Sequence, residues 1–176
     1  MNMRSKLLAT ALSALICTTF FLACSQQDEA PSTRSSQNAV IPIDIAGVEE
    51  LVKTRGCPLM LVVMASWCAP CRAELPALQR MHEKYKDRGL QIVGISLDIG
   101  GPSAMQPLVD QMNVTFPVYW GGEKVGTHYQ ISGIPLTYLI RNGQVVDALL
   151  GQRDEAFIEE KIVTLLDACE KEGAKS

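Results

Sequence analysis

Trp67-Cys68-Ala69-Pro70-Cys71 stands between two segments with different patterns of apolar residues. The segment before it, residues 59–65, is short, apolar and partly β-branched, which predicts a buried strand. The segment after it, residues 72–85, repeats apolar side chains at helical spacing. We therefore expect the two cysteines where a buried strand ends and a helix begins.

This position favours a negatively charged sulfur on the first cysteine. The unpaired N–H groups and the dipole at a helix N-terminus stabilise an anion, so Cys68 is expected to ionise readily to a thiolate. Two intervening residues keep the sulfur of Cys71 close enough to close a small disulfide ring. The position, the spacing and the electrostatics together predict thiol–disulfide exchange at Cys68 and Cys71.

Other uses of a cysteine pair fit the sequence less well. A structural zinc ion takes four ligands, and no second Cys-x-x-Cys or His-x3-5-His pattern follows, while His82 and His128 are far apart. Covalent haem attachment requires a histidine directly after the second cysteine, where this chain has Arg72. A purely structural disulfide is the remaining alternative. We expect no metal ion and no cofactor.

Two motifs give the chain a resemblance to the thioredoxin superfamily, and within it to the TlpA/ResA-like branch of membrane-anchored extracytoplasmic oxidoreductases. The first motif is residues 65–76, ASWCAPCRAELP, and the second is residues 133–137, GIPLT. The resemblance covers residues 40–170. It implies an α/β thioredoxin fold, a central mixed β-sheet flanked by helices, with a TlpA-type strand–helix insertion between the active site and a cis-proline.

The resemblance also assigns roles to residues around the cysteine pair. In the family, the bond before Pro135 is cis and lies against the cysteines, so that the backbone of Ile134 is presented to an incoming peptide. Trp67 belongs to the same substrate groove. The alternative for Pro135 is an ordinary trans proline that starts a strand.

Glu74 follows Cys71 by about one helical turn and is thus expected near the same face of the helix. ResA-type members of the family carry a partly buried glutamate at this place, which assists proton transfer. Thioredoxins use a buried aspartate in the central strand instead, and the matching position here is Val62. The alternative is that Glu74 is a solvated helix residue beside Arg72.

The N-terminal residues have the composition of an export signal. Arg4 and Lys6 precede an uncharged, mostly apolar run over residues 7–23 that is short for a membrane span. The run ends in Phe21-Leu22-Ala23-Cys24, which resembles a bacterial lipobox with Phe21 in place of the usual leucine. In such a box the cysteine, here Cys24, receives a diacylglycerol and becomes the new N-terminus. The alternative is an uncleaved membrane anchor.

These observations predict three regions: a lipoprotein signal peptide at 1–23, a flexible tether at 24–39 and a thioredoxin-like domain at 40–172. The tether is rich in Ser, Gln, Asp and Pro and has no apolar period. With either kind of anchor, the domain lies on the extracytoplasmic, periplasmic face of a bacterial membrane. Cys57 and Cys169 either pair, as an oxidising compartment favours, or are buried as small apolar side chains.

The charge of the chain argues against a nucleic-acid partner. Residues 1–23 contain two of the 16 basic residues and none of the 19 acidic ones, so the remainder has 14 basic and 19 acidic residues and a net charge of −5. Binding to phosphates requires the opposite sign.

Turn and helix signals divide the predicted domain into alternating elements. We expect an edge strand at 40–45, a helix at 47–55 ended by Gly56, a strand at 90–97 after Gly89, a helix at 102–112, an extended piece at 115–120 and a short helix within 121–131. Asn142-Gly143 between two apolar runs predicts an antiparallel hairpin of strands 136–140 and 144–150. Asp154 is expected to cap the last helix.

The function expected from the sequence is a membrane-anchored, extracytoplasmic thiol–disulfide oxidoreductase, in which Cys68 attacks a disulfide and Cys71 resolves the mixed disulfide. The resemblance favours reduction of exported proteins with disulfides, such as apocytochrome c during cytochrome c maturation, with electrons from a membrane-borne thiol donor. The alternatives are a disulfide oxidase or isomerase of the same fold, and a non-catalytic thiol-based metal-binding or holdase module.

Overall fold

The computed structural model describes residues 38–53 and 58–173. In chain order the elements are β1 (Ile41–Pro42), α1 (Ile45–Lys53), β2 (Leu59–Met64), α2 (Ala69–Tyr85), a 3₁₀ turn (Lys86–Arg88), β3 (Gln91–Ser96), α3 (Pro102–Gln111), β4 (Val118–Trp120), α4 (Gly122–His128), β5 (Leu136–Arg141), β6 (Gln144–Leu150) and α5 (Glu155–Gly173). None of the helices in these two ranges is long and apolar enough to cross a membrane.

Six strands of the described residues form one mixed sheet in the order β1-β4-β3-β2-β5-β6. The pairs β1–β4, β4–β3 and β3–β2 are parallel, and the pairs β2–β5 and β5–β6 are antiparallel. All residues of β2 are buried, as its apolar sequence predicts. The predicted mixed sheet, with parallel strands first and an antiparallel hairpin last, is confirmed.

Helices cover both faces of the sheet. On one face α2, α3 and α5 bury a large apolar cluster that includes Met60, Leu75, Met105 and Ile162. On the other face α1 and α4 pack over a smaller cluster around Ile95. Two strand–helix pairs, β3–α3 and β4–α4, separate α2 from Pro135. The chain between the cysteine motif and the proline therefore contains the insertion that the resemblance implies.

The first elements differ slightly from their predicted bounds, and local chemistry explains why. The helix α1 begins at Ile45, two residues before the predicted start, because the carboxylate of Asp44 accepts the N–H of Gly47 at 2.8 Å and so caps the first turn. The strand β1 is reduced to Ile41–Pro42 at the sheet edge, where a proline without an N–H is tolerated. Gly56, the predicted end of the first helix, lies outside the described residues.

The turn and cap signals in the second half of the chain are confirmed. Asn142 and Gly143 join β5 to β6 with φ angles of 50° and 75°, the left-handed conformation that a tight hairpin of this kind requires. The carboxylate of Asp154 accepts the N–H of Phe157 at 2.8 Å and caps α5. Gly89, with a φ of 91°, ends the turn that follows α2.

A row of ion pairs joins α5 to the exposed side of α2 and to the 3₁₀ turn that follows it. Arg80 pairs with Glu155, Lys84 with Glu159, and Arg88 with both Asp167 and Glu170. Such exposed pairs contribute little to stability individually. The buried apolar contacts beneath them are therefore expected to hold α5 in place.

Replacement of Leu166 by alanine tests this expectation. Leu166 on α5 is 1% exposed, so Leu166→Ala should lower the free energy of unfolding by about 2–5 kcal/mol, because it removes buried methyl groups and leaves a cavity. Leu150→Ala makes the same chemical change at a side chain that is 56% exposed and should cost less than about 1 kcal/mol. Urea unfolding of the oxidised proteins measures both values, and equal losses would contradict the assignment of the core.

Candidate active site

Cys68 and Cys71 form a disulfide at the start of α2, with their Cα atoms 5.2 Å apart. Cys68 is the N-cap of the helix, and the backbone N–H of Cys71 points at the sulfur of Cys68 across 3.2 Å. Pro70 occupies the first turn, where a missing N–H leaves no helical hydrogen bond unmade. The prediction that the pair lies where β2 ends and a helix begins is confirmed.

This geometry favours a thiolate on Cys68 once the disulfide is reduced. The N–H of Cys71 and the positive end of the helix dipole both act on the sulfur of Cys68. Each stabilises a negative charge there and leaves the sulfur of Cys71 inside the first turn without the same support. Both cysteines are buried, whereas Trp67, directly before the pair, is 66% exposed. The exposed surface next to the pair therefore carries an indole ring.

The peptide bond between Ile134 and Pro135 is cis. In the antiparallel pairing of β2 with β5, Val63 lies opposite Leu136, so Pro135 enters the sheet beside the end of β2, close to the turn that leads to Cys68. The carbonyl of Pro135 accepts the N–H of Gly151 at 2.8 Å, which ties this loop to the end of β6. The prediction of a cis bond is confirmed, and the alternative of an ordinary trans proline is wrong.

Glu74 lies on α2 one turn after Cys71 and is 4% exposed. One carboxylate oxygen, Oε1, accepts the backbone N–H of Arg153 at 3.0 Å. The other, Oε2, is buried and has no hydrogen-bond partner in the described part of the chain. The alternative of a solvated helix residue is therefore wrong.

Burial raises the pKa of Glu74 above the ordinary glutamate value of 4.5. The backbone N–H of Arg153, and then the positive charge of the same residue, lower the pKa by smaller amounts. The net effect is a carboxyl group that holds its proton more tightly than an exposed glutamate does. Such a group can accept and return a proton near the cysteine pair.

Two contacts around the pair were not predicted from the sequence. The backbone N–H of Arg153, after β6, meets Glu74, and the buried carboxylate of Asp98, after β3, accepts the N–H of Ser66. The only sequence signal for Asp98 was its place directly after the predicted buried strand 90–97, at the carboxyl edge of the parallel strands. No signal indicated Arg153, because a main-chain donor is independent of residue type.

Of the other cysteines singled out in the sequence, the structure describes Cys169. Cys24 and Cys57 lie outside the described residues, so the lipidation of Cys24 and the pairing of Cys57 with Cys169 stay predictions. Cys169 is half-buried near the end of α5. Between residues 38 and 173, leaving out 54–57, no three His, Cys, Asp or Glu side chains gather as a metal site.

The pH dependence of stability tests the state of Glu74. The pKa of Glu74 is higher in the folded protein than in the unfolded chain, so ionising Glu74 costs more free energy in the folded protein. The wild type should therefore lose stability relative to Glu74→Gln as the pH rises above about 4.5, until Glu74 is fully ionised in the folded protein. Denaturant unfolding of both oxidised proteins across this range measures the difference.

Glu155→Gln supplies a control of opposite sign. The hydrogen bond from Arg80 lowers the pKa of Glu155, so the stability that this carboxylate contributes is present above pH 4.5 and is lost as the pH falls. Its glutamine variant should thus be less stable than the wild type at neutral pH and should approach it in acid. A Glu74→Gln difference that does not change with pH would show that Glu74 titrates as an exposed carboxylate.

Known proteins resemble the chain in both sequence and structure. The model of the AhpC/TSA family matches residues 30–149. The thiol-disulfide oxidoreductase ResA of Oceanobacillus iheyensis is 36% identical over 104 residues, which cover 58% of this chain and 54% of the relative. The ResA of Bacillus thuringiensis is 30% identical over 112 residues, covering 62% of this chain and 64% of that protein. The chain thus spans between half and two thirds of the length of these two relatives.

A solved structure extends the likeness to three dimensions. A Chlorobium tepidum protein provisionally named thiol:disulfide interchange protein DsbE superposes with a TM-score of 0.60 at 30% identity, over 66% of this chain and 84% of that one. The family match covers more than half of the chain and includes the cysteine motif, Glu74 and Pro135. The chain belongs to the AhpC/TSA family, as a TlpA/ResA-like member of the thioredoxin superfamily.

Proposed function

We propose that this protein is a thiol–disulfide oxidoreductase that acts on other proteins. The observation that carries the proposal is the Cys68–Cys71 disulfide at the N-terminus of α2, with the cis-proline loop beside the same end of β2. The names of the ResA relatives, thiol-disulfide oxidoreductases, support it.

The reaction that fits this geometry has two exchange steps. In the reduced protein, the thiolate of Cys68 attacks one sulfur of a partner disulfide; a Cys68–partner bond forms and the partner's second sulfur leaves as a thiolate. The thiolate of Cys71 then attacks the sulfur of Cys68, closing the Cys68–Cys71 disulfide and releasing the partner's first sulfur. The partner gains two electrons, which the cysteine pair loses.

Glu74 is suited to handle the proton of Cys71 in the second step. Cys71 must lose its proton before it attacks, and Glu74 is buried one helical turn away on the same helix. Since burial raises the pKa of Glu74, its carboxylate is a better proton acceptor than an exposed glutamate would be. The groove for the partner then consists of Trp67, the backbone of Ile134 and the cis Pro135.

The direction and the partners form the finer part of the proposal. We favour reduction of exported proteins with disulfides, with apocytochrome c in cytochrome c maturation as the first candidate and a membrane-borne thiol donor that recharges the pair. A reduction potential near that of thioredoxin, about −270 mV, would support this direction. A potential near about −120 mV would indicate an oxidase instead.

The location is proposed on the sequence of residues 1–39. A lipid on Cys24 anchors the protein to a bacterial membrane, residues 24–39 form the tether and the thioredoxin-like domain at 40–172 lies on the extracytoplasmic face. The apolar run over residues 7–23 after Arg4 and Lys6, and the lipobox-like residues 21–24 at its end, support this arrangement.

Trapping of partners tests the exchange mechanism. In Cys71→Ala, the mixed disulfide on Cys68 cannot be resolved from within, so partners should accumulate as covalent adducts that a reductant releases. The adducts are isolated from the native compartment, separated on non-reducing gels and identified by mass spectrometry. Their identities would distinguish cytochrome maturation from repair of other exported proteins.

The controls follow from the same mechanism. Cys68→Ala should trap few partners, because the attacking sulfur is gone, and the double variant gives the background. If Cys71→Ala yields no adducts above the double variant and the wild type reduces no insulin disulfides, the enzyme proposal is wrong and a binding or holdase module is favoured.

Substitution of Cys24 tests the anchor. Cys24→Ala should block lipidation and processing, leaving a larger precursor that incorporates no labelled fatty acid. Cys57→Ala, a cysteine substitution outside the lipobox, should leave the label and the mature mass unchanged. If Cys24→Ala alters neither the mature mass nor the membrane fraction, the result would support the uncleaved anchor instead.

A further inference from the structure

A buried carboxylate outside the cysteine pair lies at the same edge of the sheet. Asp98, in the loop after β3, is 1% exposed. Its Oδ1 accepts the hydroxyl of Ser66 at 2.7 Å, and its Oδ2 accepts the N–H of Ser66 at 3.0 Å and the hydroxyl of Ser96 at 2.7 Å. Both oxygens therefore have partners, as a buried carboxylate requires.

Ser66 belongs to the turn that connects β2 to α2. The N–H of Cys68 donates to the carbonyl of Ala65 at 3.1 Å, so residues 65–68 form a closed turn with Ser66 at its second position. Asp98 holds this turn from outside through the main chain and the side chain of the same residue. One carboxylate is thus bonded to the turn that carries the chain from β2 to Cys68.

Asp98 is itself held from two strands. Its N–H donates to the hydroxyl of Ser96, and its carbonyl accepts the indole N–H of Trp120 at 2.6 Å. Ser96 is paired with Met64 of β2 on one side and with Trp120 of β4 on the other. The carboxylate therefore has a fixed position relative to the end of β2, and the turn to Cys68 is attached to a rigid support.

We propose that Asp98 is a positioning residue for thiol–disulfide exchange: by holding Ser66, it keeps the sulfur of Cys68 against the N–H of Cys71 at the start of α2. This inference rests on the proposed function. Asp98 does not touch the reacting sulfurs in this arrangement. Its contribution is to restrict the turn, since small displacements of a reacting group cost large factors in rate.

The rate of alkylation of Cys68 over a range of pH tests the proposal without any partner protein. The reduced protein is treated with iodoacetamide, and the modified Cys68 peptide is quantified by mass spectrometry. Asp98→Asn retains the shape of the side chain but has one acceptor oxygen instead of two, so it cannot keep all three of the bonds that the carboxylate accepts from Ser66 and Ser96. Ser66→Ala keeps the carboxylate and removes one bond.

Both variants, Asp98→Asn and Ser66→Ala, should lower the rate at which Cys68 is alkylated at pH 7. If the turn is loosened, the sulfur of Cys68 is held less well against the helix N-terminus, the pKa of its thiol rises and alkylation at pH 7 slows by about tenfold. Ser103→Ala, which removes an exposed hydroxyl bonded to the carbonyl of Gly100, is the matched control and should behave as the wild type.

Two outcomes would overturn the proposal. If Asp98 acts only by its negative charge, Asp98→Asn lowers the pKa of Cys68 and Ser66→Ala leaves it unchanged. If Asp98 only stabilises the fold, both variants unfold at a lower temperature while their alkylation profiles superimpose on that of the wild type. Because this assay needs no partner, it separates failure of the positioning role from failure of the oxidoreductase function, which partner trapping and insulin reduction measure.

Discussion

The hydrogen bonding of β2 along both of its sides determines where the reactive sulfurs lie. β2 pairs in parallel with β3 and antiparallel with β5, and all its residues are buried. A strand that is paired on both sides cannot shift its register by one residue without moving all its apolar side chains to the opposite face of the sheet. Its end at Met64 is therefore fixed, and only a short turn separates it from Cys68.

The same pairing explains why distant segments meet at this end of the sheet. β3 runs parallel to β2, so the residue that follows β3 closely, Asp98, emerges beside the turn to Cys68. β5 runs antiparallel, so the residue that precedes β5, Pro135, enters at the same place. Supports for the cysteine pair thus come from the end of one neighbouring strand and the start of the other.

The sequence predicted those features whose causes are local, such as the Cys68–Cys71 motif, the hairpin at Asn142-Gly143 and the cap at Asp154. Features that depend on distant contacts could not be predicted in the same way. The burial of Glu74 involves the N–H of Arg153, 79 residues later, and the Ser66–Asp98 bonds span 32 residues. The cis form of the bond before Pro135 was expected only because the resemblance to a family supplied it.

The pairing of β2 with β5 also has a consequence for biosynthesis. Cys68 and Cys71 are three residues apart in the chain. The strand β5, which places Pro135 beside the end of β2, is synthesised more than 60 residues later. Contacts between residues so far apart form late, since a long loop must close first. During synthesis the two sulfurs therefore exist before the strand that carries Pro135 can pair with β2 beside them.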